Sequence, residues 1–204
     1  IMVADQPATT LCVDWSGEGF DLQTYLVGTS PTTFEVTPRA GCKATVWSYD
    51  ENDHLTVFSI RGVKMASMDA RPMHNLIALT VHSAGLSDIS LPEAPELFEM
   101  NLEGNQLKDI DLTQYPKLAY LVLNGNALQT FDASRYPNLE LRSVSTNQLR
   151  SVTLKNEKLW SLDLAGNELE QVDLTQLPNL YQLGLSENSL STLDVSANTD
   201  LHVL

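Results

Sequence analysis

The chain has 204 residues, 43% of them apolar, which suits one or two domains with a real core. No stretch approaches the roughly 18 apolar residues of a membrane-spanning helix, which excludes a membrane span in this chain. Twelve basic against 26 acidic side chains give a formal charge of −14; such a chain is repelled by phosphate backbones, which excludes general nucleic-acid binding.

The first residues, Ile1-Met2-Val3-Ala4-Asp5, hold no basic and apolar leader and read as a processed or trimmed N-terminus. Residues 1–71 do not repeat. Their β-branched and aromatic runs, among them Ala44–Tyr49 and Leu55–Ile60, are separated by Gly, Pro and Asp clusters, which predicts a small all-β N-terminal cap domain. The last two runs flank Asp50-Glu51-Asn52-Asp53-His54 and predict a β-hairpin. The cap's expected task is to cover the open apolar end of the residues downstream of it. Cys12 and Cys42 are the only cysteines. They are a candidate disulfide pair in an oxidising compartment, and two separate buried thiols are the alternative.

From residue 72 onward one pattern dominates. Segments beginning at Leu76, Leu97, Leu118, Leu139, Leu159, Leu180 and Leu201 share the form LxxLxLxxNxLxxL, stepping by 21 residues with a single step of 20. This is the leucine-rich repeat signature, giving about six repeats over 72–204 with the last cut short. The alternating LxL part forms a short strand with leucines inward. Equivalent strands pair in parallel, and the second half of each repeat is the return path. With so few residues per turn, the expected fold is a right-handed solenoid with a parallel concave sheet and short irregular or 3-10 convex segments.

Two polar columns run through the repeats. Asn105, Asn126, Asn147, Asn167 and Asn188 stand where the chain leaves the strand, and a carboxamide there both donates and accepts for buried backbone, so the column is a structural ladder. Asp111, Asp132, Asp173 and Asp194 are each followed two residues later by Thr or Ser, which is turn chemistry rather than calcium binding. No cofactor or metal site is expected. The four histidines share no motif with Asp, Ser or Cys, and there is no phosphate loop, so no enzyme is expected.

The x positions of LxxLxLxxN face the concave side. Large apolar residues recur there: Phe98, Tyr120, Val122, Leu141, Trp160 and Tyr181. Such groups suggest an interaction surface, and packing against neighbouring turns is the alternative reading. Arg142 occupies an inward leucine column. Either the strand slips by one residue there or Arg142 reaches solvent, because an unpaired buried charge is costly.

The repeats over 76–204 resemble bacterial secreted and cell-surface leucine-rich proteins of the internalin group, closest by repeat length to the internalin J type. That resemblance implies an exported adhesin of virulence type, secreted or at the cell surface, binding an extracellular protein or glycan through its concave face. Other readings are a structural spacer or scaffold of a larger surface protein, or a glycan-binding module. Internalin J carries a cysteine ladder, and its places are held here by Leu102, Leu123, Val144, Leu164 and Leu185. Oligomeric state is not legible in the sequence.

Overall fold

The computed structural model describes the backbone of four N-terminal strands and residues 55–204 apart from 63 and 72, with side chains from Val57 onward. The pairing of Cys12 with Cys42 and the acidic turn at 50–53 lie outside the described residues. The chain divides into two compact units, 1–106 and 107–204.

In the first unit, β1 (Val3–Ala4), β5 (Leu55–Arg61), β7 (Ala78–His82) and β9 (Glu99–Asn101) lie side by side in that order. A second sheet runs β3 (Leu22–Val27), β2 (Thr9–Asp14), β4 (Lys43–Ser48), β6 (Ser67–Asp69), β8 (Asp88–Ser90). The expected hairpin between the runs at 44–49 and 55–60 does not form. Strand β4 pairs with β2 and β6, whereas β5 pairs with β1 and β7. The reason is the repeat itself. Val57 faces Ala78 and Ile60 faces Val81 in parallel register, and Ser67 faces Asp88, so each partner stands one repeat length downstream.

The repeat register therefore begins one turn upstream of residue 72, inside the segment assigned to the cap. Phe58 and Met65 fill that turn's interior at leucine places, Met68 at the place of Ile89 and Met73 at that of Ala94, and all four are buried. Methionine's flexible thioether fills irregular gaps of this kind. Gly62 marks the same turn. Its positive φ recurs at Ser83, Gly104, Gly125, Thr146, Gly166 and Glu187, always just before the asparagine column.

In the second unit, β10 (Tyr120–Val122), β12 (Leu141–Ser143), β14 (Ser161–Asp163) and β15 (Gln182–Gly184) form the parallel sheet. The register is unbroken: Leu121 faces Arg142, Arg142 faces Leu162, and Leu162 faces Leu183. The return segments are mostly irregular. They contain one 3-10 turn, Ala133–Arg135, and a second parallel pair, β11 (Thr130–Asp132) with β13 (Ser151–Thr153). Leu107, Leu118, Leu121, Leu128, Leu149 and Leu162 are among the buried leucines, so each turn covers its apolar residues with the next. The fold is a parallel-sheet leucine-rich repeat solenoid with almost no helix.

The polar columns follow the same logic. Asn147 Nδ2 donates to the carbonyls of Leu123 and Val144, 3.0 and 3.1 Å away. Its Oδ1 accepts from the Leu128 amide at 3.1 Å. Asn105, Asn126, Asn167 and Asn188 likewise accept from an amide of the preceding turn and donate to carbonyls at the end of their own strand. Asp111 Oδ1 accepts from both the amide and the hydroxyl of Thr113, at 3.0 and 2.7 Å. Asp132 with Ser134 and Asp173 with Thr175 repeat the arrangement. Those hydrogen bonds, and for Asp194 the one from the Ser196 amide at 2.9 Å, hold the Asp111, Asp173 and Asp194 carboxyls below the usual carboxylate range. The cysteine-ladder places are aliphatic and, at Leu102, Leu123, Val144 and Leu164, fully buried.

Candidate functional site: the outward face of the sheet

Residues flanking the inward leucines of each strand point away from the core. In the second unit they form rows, one residue per turn. Tyr120, Leu141, Ser161 and Gln182 make one row, and Val122, Ser143, Asp163 and Gly184 the next. A third row stands just before the strands: Ala119, Glu140, Trp160, Tyr181 and His202. Its backbone is locked turn to turn, with the amides of Glu140, Trp160, Tyr181 and His202 each donating one turn back at 2.8–3.0 Å.

Exposure within these rows is uneven. Trp160 and Tyr181 are 40% and 46% exposed. Tyr120, Val122 and Leu141 are half-buried, and Tyr120 stands directly against Leu141 in the register. Ala119 and Ser161 are buried despite their outward positions. Phe98 lies in the first unit, exposed, with its amide donating to the carbonyl of Ile77 at 2.9 Å. Ile77 is equally exposed and was not among the residues expected from sequence, although it stands in the same column as Phe98. His202 was also missed. Its ring stacks on Tyr181 with centroids 4.9 Å apart and planes 17° from parallel. The column position of His202, directly after Leu201, is the signal that places it there.

The outward face also carries fixed polar groups. Asp163 Oδ1 accepts from the Ala165 amide at 3.0 Å, and its Oδ2 accepts from Ser143 Oγ at 3.1 Å. Asn124 Oδ1 accepts from the Ser145 amide at 3.0 Å. The strand ends on this face are thus held by side chains rather than left mobile.

Beneath the face sits Arg142, and neither expectation for it holds. The strand keeps register and the side chain is 1% exposed. Its Nε, Nη1 and Nη2 have no hydrogen-bond partner among the described residues. The guanidinium lies over the Phe131 ring, 5.1 Å from its centroid, an attractive contact between a cation and a π face. Burial lowers its pKa to about 9, a shift partly opposed by the charge interaction with Tyr136. Leu121 and Leu162 in the flanking strands leave Arg142 no register in which to turn outward without exposing the whole column.

The likeness to solved structures is to repeat proteins. The functional domain of InlJ from Listeria monocytogenes, described as including a cysteine ladder, matches 74% of this chain at 25% identity with a TM-score of 0.63. The fold is that of the leucine-rich repeat proteins. The match spans 34% of the InlJ domain's own length. A leucine-rich repeat protein from Leptospira interrogans, LIC12759, matches 74% of the chain and 54% of its own length at 19% identity and a TM-score of 0.49. No protein-family model and no curated protein sequence matches the chain. Among the described residues no helix is long and apolar enough to cross a membrane.

Proposed function

We propose that this chain is the binding part of an exported bacterial surface protein, and that it engages a partner macromolecule, a protein, through the outward face of its parallel sheet. One observation carries the reading. Trp160 and Tyr181 stand exposed on adjacent turns, and Tyr120, Val122 and Leu141 form a half-buried apolar patch on the same side. Large aromatic groups held on rigid strands are the usual anchors of protein interfaces. The adhesin role follows from the internalin resemblance, and the likeness to InlJ supports the same class.

A glycan partner is the weaker reading. Sugars stack on open ring faces, and the Tyr181 and His202 rings lie face to face, so each covers one face of the other. A spacer role would suit a flat polar surface, and the exposed Trp160 and Tyr181 favour the binding reading over it. The test is a Tyr120→Ala, Trp160→Ala double variant assayed for adhesion to cells. Each lost anchor is expected to weaken binding by about 2 kcal/mol. A double variant that folds normally and adheres like the parent refutes the proposal.

A further inference from the structure

We propose that the partner segment docking on the outward face of residues 107–204 is basic, with Arg or Lys side chains set between apolar ones. This rests on the sheet-face reading above and names the chemistry of the partner.

The first observation is a segregation of charge. Residues 107–204 hold seven Lys and Arg residues. Arg142 is buried under the sheet, and the other six all stand in the return segments. None stands in the outward rows, where the ionised groups are Glu140 and Asp163. The first unit, taken by itself, differs: Ile77, Phe98 and Glu99 stand outward there, but exposed Arg61 shares a column with His82, and Glu103 lies 3.6 Å from His82, so the exclusion of Lys and Arg belongs to residues 107–204. A face that excludes one sign of charge favours partners carrying it.

The second observation is that Asp163 is set in place as an acceptor. Its two hydrogen bonds, to the Ala165 amide and the Ser143 hydroxyl, fix the carboxylate on the sheet surface. No Lys or Arg pairs with it among the described residues. A held carboxylate loses little freedom on meeting a guanidinium or ammonium group.

The third observation is Gly184, which faces Asp163 in the register. Its backbone is not left-handed, so no conformational demand explains a glycine there. Space explains it. A Cβ at this position would lie 2.5 Å from Asp163 Oδ1. The glycine keeps the flank of the carboxylate open, one turn from the exposed Trp160, whose ring attracts cations.

The test uses the full chain and a fluorescent synthetic peptide alternating Arg and Leu, with an alternating Glu and Leu peptide as reference. Anisotropy is read at about 50 and 300 mM salt, which brackets physiological screening. The Arg peptide is expected to bind and the Glu peptide not. Glu140→Gln with Asp163→Asn should weaken binding on the order of fivefold or more, as expected for two charge pairs lost. Gly184→Ala, which leaves net charge unchanged, should weaken it as well. Glu157→Gln with Glu170→Gln, exposed in the return segments, removes the same charge and should change binding less than about twofold. Equal loss from the two charge-removing pairs would mean attraction by net charge alone and would overturn the proposal, as would binding of the Glu peptide. Should Tyr120→Ala with Trp160→Ala abolish cell adhesion while the Glu140 and Asp163 pair leaves peptide binding intact, the basic partner is refuted and the docking face stands.

Discussion

Replacing Arg142 with methionine is expected to stabilise the protein. The side chain is fully buried between Leu121 and Leu162, and its guanidinium has no hydrogen-bond partner among the described residues. Its pKa of about 9 is roughly three to four pH units below the ordinary guanidinium value, which corresponds to about 5 kcal/mol of cost for holding the charge inside. Contact with the Phe131 ring returns about 2 kcal/mol. The net gain on removing the charge while keeping the unbranched stem is therefore about 3 kcal/mol, in the range seen when buried ions give way to apolar groups. Urea unfolding followed by circular dichroism measures it as a shift in midpoint at unchanged slope. The pH dependence supplies a second check. Below about pH 9 the guanidinium is charged both folded and unfolded, so its cost is fully present. Above that pH the folded chain releases the proton and the unfolded chain keeps it, so wild-type stability recovers relative to the variant. Tyr115, pushed up to about 12 by burial, and Tyr136, also raised by burial, act in the opposite direction. Their stabilising contribution is lost as pH rises past the ordinary tyrosine range, so the wild type must be compared with the variant at each pH. A variant less stable than wild type, or a stability gap that does not narrow above pH 9, would falsify the buried-charge account.

Asn147→Ala removes the acceptor of the Leu128 amide and the donor to two carbonyls, and a loss of about 3 kcal/mol is expected in the same urea experiment. Thr146 holds φ at 54° with a β-branched side chain; Thr146→Gly should raise stability by about 1 kcal/mol, read as a higher melting temperature. Asp173 has a lowered pKa through its bonds to Thr175, so its contribution is present above the ordinary carboxylate pKa and lost as pH falls through the folded value. Acid titration of Asp173→Asn should therefore show less loss of stability below about pH 4 than the wild type.

The period of 21 residues carried most of the fold, because a repeat that short admits only strand, turn and return. What escaped was whatever lay outside leucine chemistry. The turn over 55–75 keeps the period, but Phe58 and three methionines stand in the inward columns, and only Gly62 betrays the shared left-handed bend. The false hairpin arose because two β-rich runs around a polar loop look local, whereas in this fold strands pair with those one repeat away. At the candidate site, the rows of outward residues follow from the period. Their exposure does not, since Ala119 and Ser161 are buried by neighbouring turns while Trp160 and Tyr181 are not. Arg142 defeated a sound argument about charge because the register of its neighbours outweighed its own preference.

The asparagine rungs have a consequence for how such a chain can change length. Each reaches the amide one turn behind, 19 residues back for Asn147 to Leu128. An in-frame duplication of one whole repeat thus supplies a new rung and a new receiver together, and every existing bond survives. The turn that lost a residue shows where smaller edits are absorbed. Asn167 reaches Leu149 across 18 residues, and the deletion falls in the return segment, where Asn156 turns inward to donate to Tyr136. Recombination between copies can therefore lengthen or shorten the outward face in steps of one strand, adding or removing one residue in every row while leaving the scaffold's chemistry untouched.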